Sequence, residues 1–112
     1  MVEDEPLIRM LAVEMVEDAG FVAIEAVNAD DAILILEARS DIRVVFTDIQ
    51  MPGSLDGMRL AARVRDLWPP IEIIITSGNV TRDKVVLPSR AQFVPKPYRP
   101  AEVIGLLERM AR

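Results

Sequence analysis

The chain has 112 residues, 51% of them hydrophobic and 28% charged, and its 18 acidic and 13 basic residues give a formal net charge of −5. This is the profile of one globular domain spanning residues 1–112. With no cysteine and no histidine, disulfide frameworks, Cys/His zinc sites, thiol nucleophiles, Ser-His-Asp triads and a phosphohistidine of its own are excluded. The acidic balance argues against a nucleic-acid surface. No stretch has the length to span a bilayer or the pattern of a leader, so no membrane partner is expected and the cytoplasm is the expected setting.

From Pro6 to Ala19 the pattern predicts an amphipathic helix, with Leu7, Met10, Leu11, Met15 and Val16 at three-to-four spacing, the methionines in the core, and Gly20 as terminator. Phe21 to Val27 reads as a strand. Asn28 is placed to cap a helix running to about Arg39, with Asp30 and Asp31 in the first turn, where the helix dipole favours negative charge. Arg43 to Thr47 is a short strand that ends at Asp48. Gly57 to Trp68 is helical again and stops at Pro69-Pro70. Ile71 to Thr76 is nearly all apolar, as in a strand buried on both faces. Val80 to Arg90 holds at most a short helix, because Pro88 interrupts it. Gln92 to Pro95 closes as a strand, and Arg99 to Met110 as a helix with Pro100 at its start.

Alternating strands and helices imply a parallel sheet covered on both faces, with ligands at the carboxyl ends of the strands. Polar groups stand at those ends: Glu3-Asp4, Asp48, Ser77 and Lys96. Three carboxylates converging there would repel one another without a cation. Mg²⁺ suits the role, since it prefers oxygen ligands and keeps waters that phosphoryl oxygens can replace. An aspartate nucleophile, Mg²⁺ as neutraliser and lysine as clamp make up a phosphoryl-transfer site.

The motifs "VEDE" at Val2 to Glu5, "FTDIQMP" at Phe46 to Pro52, "DG" at Asp56-Gly57, "TSG" at Thr76 to Gly78 and "KPY" at Lys96 to Tyr98 occur in one order across nearly the whole chain. In that order they resemble the receiver domains of bacterial two-component response regulators. The resemblance implies a flavodoxin-like, doubly wound, five-stranded parallel α/β sheet in the order 2-1-3-4-5, with helices on both faces. It also implies roles for individual residues. Asp48 is the phosphoacceptor. Asp4 is a direct Mg²⁺ ligand, and Glu3 acts through water. Gln50 offers its backbone carbonyl to the metal, while its side chain, with Asn79, influences the lifetime of the phosphoaspartate. Ser77 is the switch hydroxyl, with Thr76 the alternative. Lys96 pairs with the phosphoryl group, its bond to Pro97 is cis, and Phe93 is the aromatic that turns inward with Ser77. Each has a plainer reading: a helix cap for Glu3-Asp4, a turn for Ser77 and core packing for Phe93. Asp56 reads as a helix cap.

Three departures from the family pattern stand out. The first strand has only Met1 and Val2 ahead of the acidic pair and is truncated; the loop "MPGSLDG" is one residue longer than the common spacing; and Asn79 to Gln92 is short and broken for a fourth helix. The expected function is a signalling switch rather than an enzyme with a separate substrate. It would accept a phosphoryl group with Mg²⁺ bound, from a sensor histidine kinase or histidine phosphotransfer protein, and then bind a downstream protein partner, with a homodimer left open. A pseudo-receiver, with the fold but without productive phosphorylation, is the alternative. An aspartate-nucleophile phosphatase ranks last, because such enzymes carry a second Asp where Gln50 stands.

Overall fold

Punctuation residues set the helices in the computed structural model, which describes residues 1–49, 56–78 and 87–110. Helix α1 (Pro6–Asp18) begins on a proline, whose missing N–H costs nothing in a first turn, and ends before Gly20 at φ +93°. Helix α2 (Ala29–Ala38) is capped reciprocally. The Asn28 side chain accepts from the Asp31 amide at 2.8 Å, and the Asp31 carboxylate accepts from the Val27 amide at 3.1 Å. Strand β1 (Val44–Asp48) leads towards α3 (Gly57–Leu67), which starts at Asp56, whose side chain accepts from the Arg59 amide at 2.9 Å. That confirms Asp56 as a cap. After Pro69-Pro70 come β2 (Glu72–Ser77), β3 (Ala91–Pro95) and α4 (Pro100–Met110).

The strands are parallel, with Val44 opposite Glu72 and Asp48 opposite Thr76, then Ile73 opposite Ala91 and Ser77 opposite Pro95. β3 is the outer strand of β1-β2-β3, where a proline removes no needed ladder bond. On the far side of β1 stands Val2. Its amide donates to the Phe46 carbonyl at 2.8 Å, its carbonyl accepts from the Asp48 amide at 3.3 Å, and it forms parallel bridges to both Thr47 and Ala26. The spatial order is therefore Ala26, Val2, β1, β2, β3, the order the resemblance implies.

Its extent differs from expectation. In place of five full strands the described residues form three strands and two single bridged positions, Val2 and Ala26, and the strand expected from Phe21 to Val27 is reduced to Ala26. Register explains this. With Val2 opposite Ala26, Glu25 lies opposite Met1 and residues 21–24 face no residue of this chain, and backbone without a facing ladder is not a strand.

Two apolar layers flank the sheet. On one face Ala29, Ala32, Leu36, Leu60, Ala61 and Val64 of α2 and α3 pack on Val45, Ile73 and Ile75. On the other, Val16 of α1 and Val103 and Leu107 of α4 pack on Phe46, Ile74 and Val94. The fully buried run Ile73–Ile75 serves both layers, as expected of a central parallel strand. One expectation for α1 is overturned. Leu7, Met10 and Leu11 are 61%, 56% and 56% exposed, so Met10 is not a core residue, although Met15 is packed against the α1/α4 layer. The buried face of α1 is instead the neighbouring stripe of Ala12 and Val16, with Val16 packed in the layer formed with α4, Phe46 and Ile74.

The broken helix expected between Asn79 and Gln92 falls mostly outside the described residues, as do Gln50, Asn79 and the extended loop. Leu87 to Arg90 are not helical. There Arg65 of α3 donates to the carbonyls of Pro69, Ser89 and Arg90 and fastens the entry to β3. Among the described residues no helix is long and apolar enough to cross a membrane.

Candidate functional site

Parallel strands deliver their carboxyl ends to one edge of the sheet, and polar residues separated widely in sequence meet there. Asp48 ends β1, Ser77 ends β2, Lys96 follows β3, and Glu3-Asp4 follow the Val2 bridge. The Lys96 amide donates to the Ser77 carbonyl at 3.0 Å, which extends the β2–β3 ladder one residue and aims the lysine inward. The Lys96-Pro97 bond is cis, as the resemblance implies. From that position Lys96 Nζ lies 2.5 Å from Asp48 Oδ2 and 3.6 Å from Glu3 Oε1. One ammonium thus serves two carboxylates that are themselves buried, at 8% and 5% exposure.

The electrostatics follow from this crowding. Burial pushes the Glu3 carboxyl above its ordinary value; the nearby charge of Asp48 and a hydrogen bond with Asp4 push the same way, against the Glu5 amide and the Lys96 charge. Burial alone would lower the Lys96 ammonium, but the hydrogen bond and charge of Asp48, with Glu3, outweigh it and hold Lys96 above its usual range. Glu3 Oε2 also accepts from the Glu5 amide at 3.1 Å at the start of α1. The N-cap of α1 is Glu5 and no side chain caps the helix, so the helix-capping reading of the acidic pair does not hold; Glu3 instead ties down the turn that leads into α1.

Glu3, Asp4 and Asp48 adjoin without forming a closed cage. Among the described residues no three acidic, His or Cys side chains are gathered as a ready cation site. Mg²⁺ does not need one, because it binds through one or two carboxylates and keeps several waters. A buried carboxyl whose charge is disfavoured beside two others is an environment that a hydrated cation relieves, so the donor set fits Mg²⁺.

Ser77 and Thr76 are both buried, on opposite sides of β2. Ser77 lies beside Lys96 in the ladder, and Thr76 stands opposite Asp48, its hydroxyl without a hydrogen-bond partner among the described residues. Phe93 is half-buried and leans on the α2/α3 layer.

Three residues to which sequence reasoning gave no role shape this site: Gly57 and Tyr98, noted only as members of the DG and KPY motifs, and Arg9. Gly57 packs directly on the backbone of Asp48 and Ile49: a Cβ there would run into the Asp48 carbonyl and lie 2.8 Å from Ile49 Cα, and its amide donates to the Ile49 carbonyl at 2.8 Å. A glycine in a first helical turn already capped by Asp56 was the available signal. Arg9 of α1 donates from Nη1 to the Glu3 carbonyl at 2.9 Å and from Nε to Glu25 Oε1 at 3.3 Å. Tyr98 packs against Phe46 in a tilted ring contact, centroids 5.7 Å apart and planes inclined by 56°. Burial raises its phenol above the usual range, against Lys96 and with Glu3 and Asp48, which places it within electrostatic reach of the cluster.

Comparison with known proteins gives this geometry a context. A family model described as the response regulator receiver domain matches residues 1–108. The chain is 30% identical to the nitrogen assimilation regulatory protein NtrX of Azorhizobium caulinodans, over 97% of this chain and 25% of that protein. It is 33% identical to the sensor kinase CckA of Brucella abortus, over 88% of this chain and 11% of that protein. It therefore spans only a minor part of these two relatives. The crystal structure of the NtrX receiver domain from Brucella abortus superposes with a TM-score of 0.86 at 29% identity, over 97% of this chain and 93% of that one.

Proposed function

Because the chain belongs to the response regulator receiver domain family over residues 1–108, we propose that it is a phosphorylatable switch in a two-component phosphorelay, one receiver unit spanning residues 1–112. The family's place in two-component signalling is common ground with the relatives; the residue roles are the proposal. Asp48 is the phosphoacceptor. One carboxylate oxygen attacks the phosphorus of a phosphohistidine on a sensor histidine kinase or histidine phosphotransfer protein. The P–N bond breaks, and the imidazole leaves with its electron pair and takes up a proton. Asp4 and Asp48, Glu3 through water, and the Gln50 backbone carbonyl would hold Mg²⁺, which offsets negative charge as the phosphoryl group arrives.

Lys96 holds the Asp48 carboxylate before transfer and faces the new phosphoryl oxygens after it. Ser77 is the hydroxyl drawn towards phosphate, and Phe93 the aromatic that follows it. Phosphate shifts the conformational equilibrium only through contacts that differ between the two states, and these are the groups placed to make them. Gln50 and Asn79 set the lifetime of the phosphoaspartate. This makes the chain a phosphoacceptor that assists its own chemistry, acting in the cytoplasm on a downstream protein and not on nucleic acid.

The observation that carries the proposal is the convergence of Lys96 on Asp48 and Glu3 from three separate elements. A pseudo-receiver that binds a partner without productive phosphorylation is the second reading, favoured by the reduction of the first strand to the single bridged residue Val2. The deciding experiment is intact mass after incubation with acetyl phosphate, with and without Mg²⁺, on the wild type and Asp48→Asn. One Mg²⁺-dependent adduct absent from the variant supports the switch, and no adduct in either protein favours the pseudo-receiver.

A further inference from the structure

We infer that Arg9 is a positioning residue for the acidic pair: braced on Glu25, its guanidinium fixes the peptide plane between Glu3 and Asp4 and so sets how both carboxylates meet a divalent cation. The cation rests on the receiver reading above, and the positioning rests on geometry.

Side chains on a helix lean towards its N-terminus, so Arg9 lies back over the turn that contains Glu3 and Glu5. Its Nη1 donates to the Glu3 carbonyl at 2.9 Å. That oxygen belongs to the same rigid planar unit as the Asp4 nitrogen and Cα. Pinning it therefore orients the residue that follows. The Glu3 amide is held independently by the Ala26 carbonyl at 3.1 Å. The second arm of the guanidinium reaches Glu25, adjacent to Ala26, at 3.3 Å. Both attachments of Glu3 are thus referred to the same extended segment.

The planar fork of arginine reaches two acceptors in different directions, which the single ammonium of lysine cannot reproduce. The ion pair itself adds little stability, since Glu25 is 54% exposed. What it supplies is orientation.

Charge and positioning predict opposite signs, and this makes the inference testable. A cation near the acidic pair repels Mg²⁺, so on charge alone Arg9→Ala would tighten metal binding. Positioning predicts a loss of about tenfold, the size typical when a partner behind a metal ligand is removed. The experiment is calorimetric titration with MgCl₂ well below the melting temperature. Arg9→Ala is expected to weaken binding about tenfold, Arg9→Lys to recover part of it, and Glu25→Gln to weaken it by a smaller factor. Leu36→Ala, in the α2/α3 layer, is expected to lower the melting temperature with Mg²⁺ affinity unchanged.

Binding by Arg9→Ala as tight as wild type, or tighter, overturns the inference. If the wild type takes up no Mg²⁺, it is the receiver reading that fails. Hydrogen exchange at the Glu5 amide, which donates to Glu3, then decides the positioning claim. Faster exchange in Arg9→Ala than in Leu36→Ala supports it, and equal exchange in the two variants overturns it.

Discussion

Replacing Gly57 with alanine should destabilise the protein far more than one methyl group on a helix ordinarily does. The added Cβ would meet only backbone: the Asp48 carbonyl, and Ile49 Cα at 2.8 Å. No rotamer change relieves such a clash, so α3 must lift away from the end of β1. Overpacking of this kind costs about 1–3 kcal/mol. Losing the hydrogen bond from the Gly57 amide to the Ile49 carbonyl adds about 1 kcal/mol. Better helix propensity returns about 0.5–1 kcal/mol. The net is a loss of about 1–3.5 kcal/mol, or about 4–14 °C in melting temperature for a domain of this size. Gly105 supplies the control. It lies within α4, and a methyl group added there would meet nothing within 4 Å, so Gly105→Ala should stabilise by about 0.5–1 kcal/mol. Urea and thermal denaturation followed by circular dichroism measure both variants. The reasoning fails if Gly57→Ala lies within about 0.5 kcal/mol of wild type, or if both variants shift in the same direction. Because the displaced backbone belongs to Asp48, Gly57→Ala should also slow modification by acetyl phosphate.

Two further expectations concern charge at the site. Burial raises the Glu3 carboxyl, so the folded state holds that proton more tightly than the unfolded chain. Without divalent metal, its contribution to stability is fully present below pH 4.5 and is lost as pH rises through the raised folded value. Glu3→Gln should remove that fall, so its stability relative to wild type should grow with pH in urea titrations. A difference that shrinks with rising pH would contradict the assignment. Lys96→Met leaves Asp48 and Glu3 without their shared ammonium and should cost about 1.5–3 kcal/mol in metal-free buffer. Adding Asp48→Asn should restore most of it, because one orphaned charge is gone. Equal losses in the single and double variants would show that the ion pair is not the cause.

Local chemistry determined much of this protein directly. Pro6, Asn28, Asp56, Pro69 and Pro100 mark helix boundaries because caps and missing amides act over one turn of chain. The apolar run at Ile73–Ile75 marks the central strand for an equally local reason. Asp48, Ser77 and Lys96 could be proposed as neighbours because parallel strands must end at one edge. Other features depended on partners remote in sequence. Periodicity showed that α1 has apolar stripes, but only tertiary packing selected Ala12 and Val16 over Met10. Propensity favoured a strand at Phe21 to Val27, but strands exist through pairing, and the register with Val2 left pairing only at Ala26. Arg9 carries no distinctive pattern in its own segment, and the DG and KPY motifs mark Gly57 and Tyr98 without saying what they touch. Their importance comes from a carbonyl, a strand end and a ring that only the folded chain brings within reach.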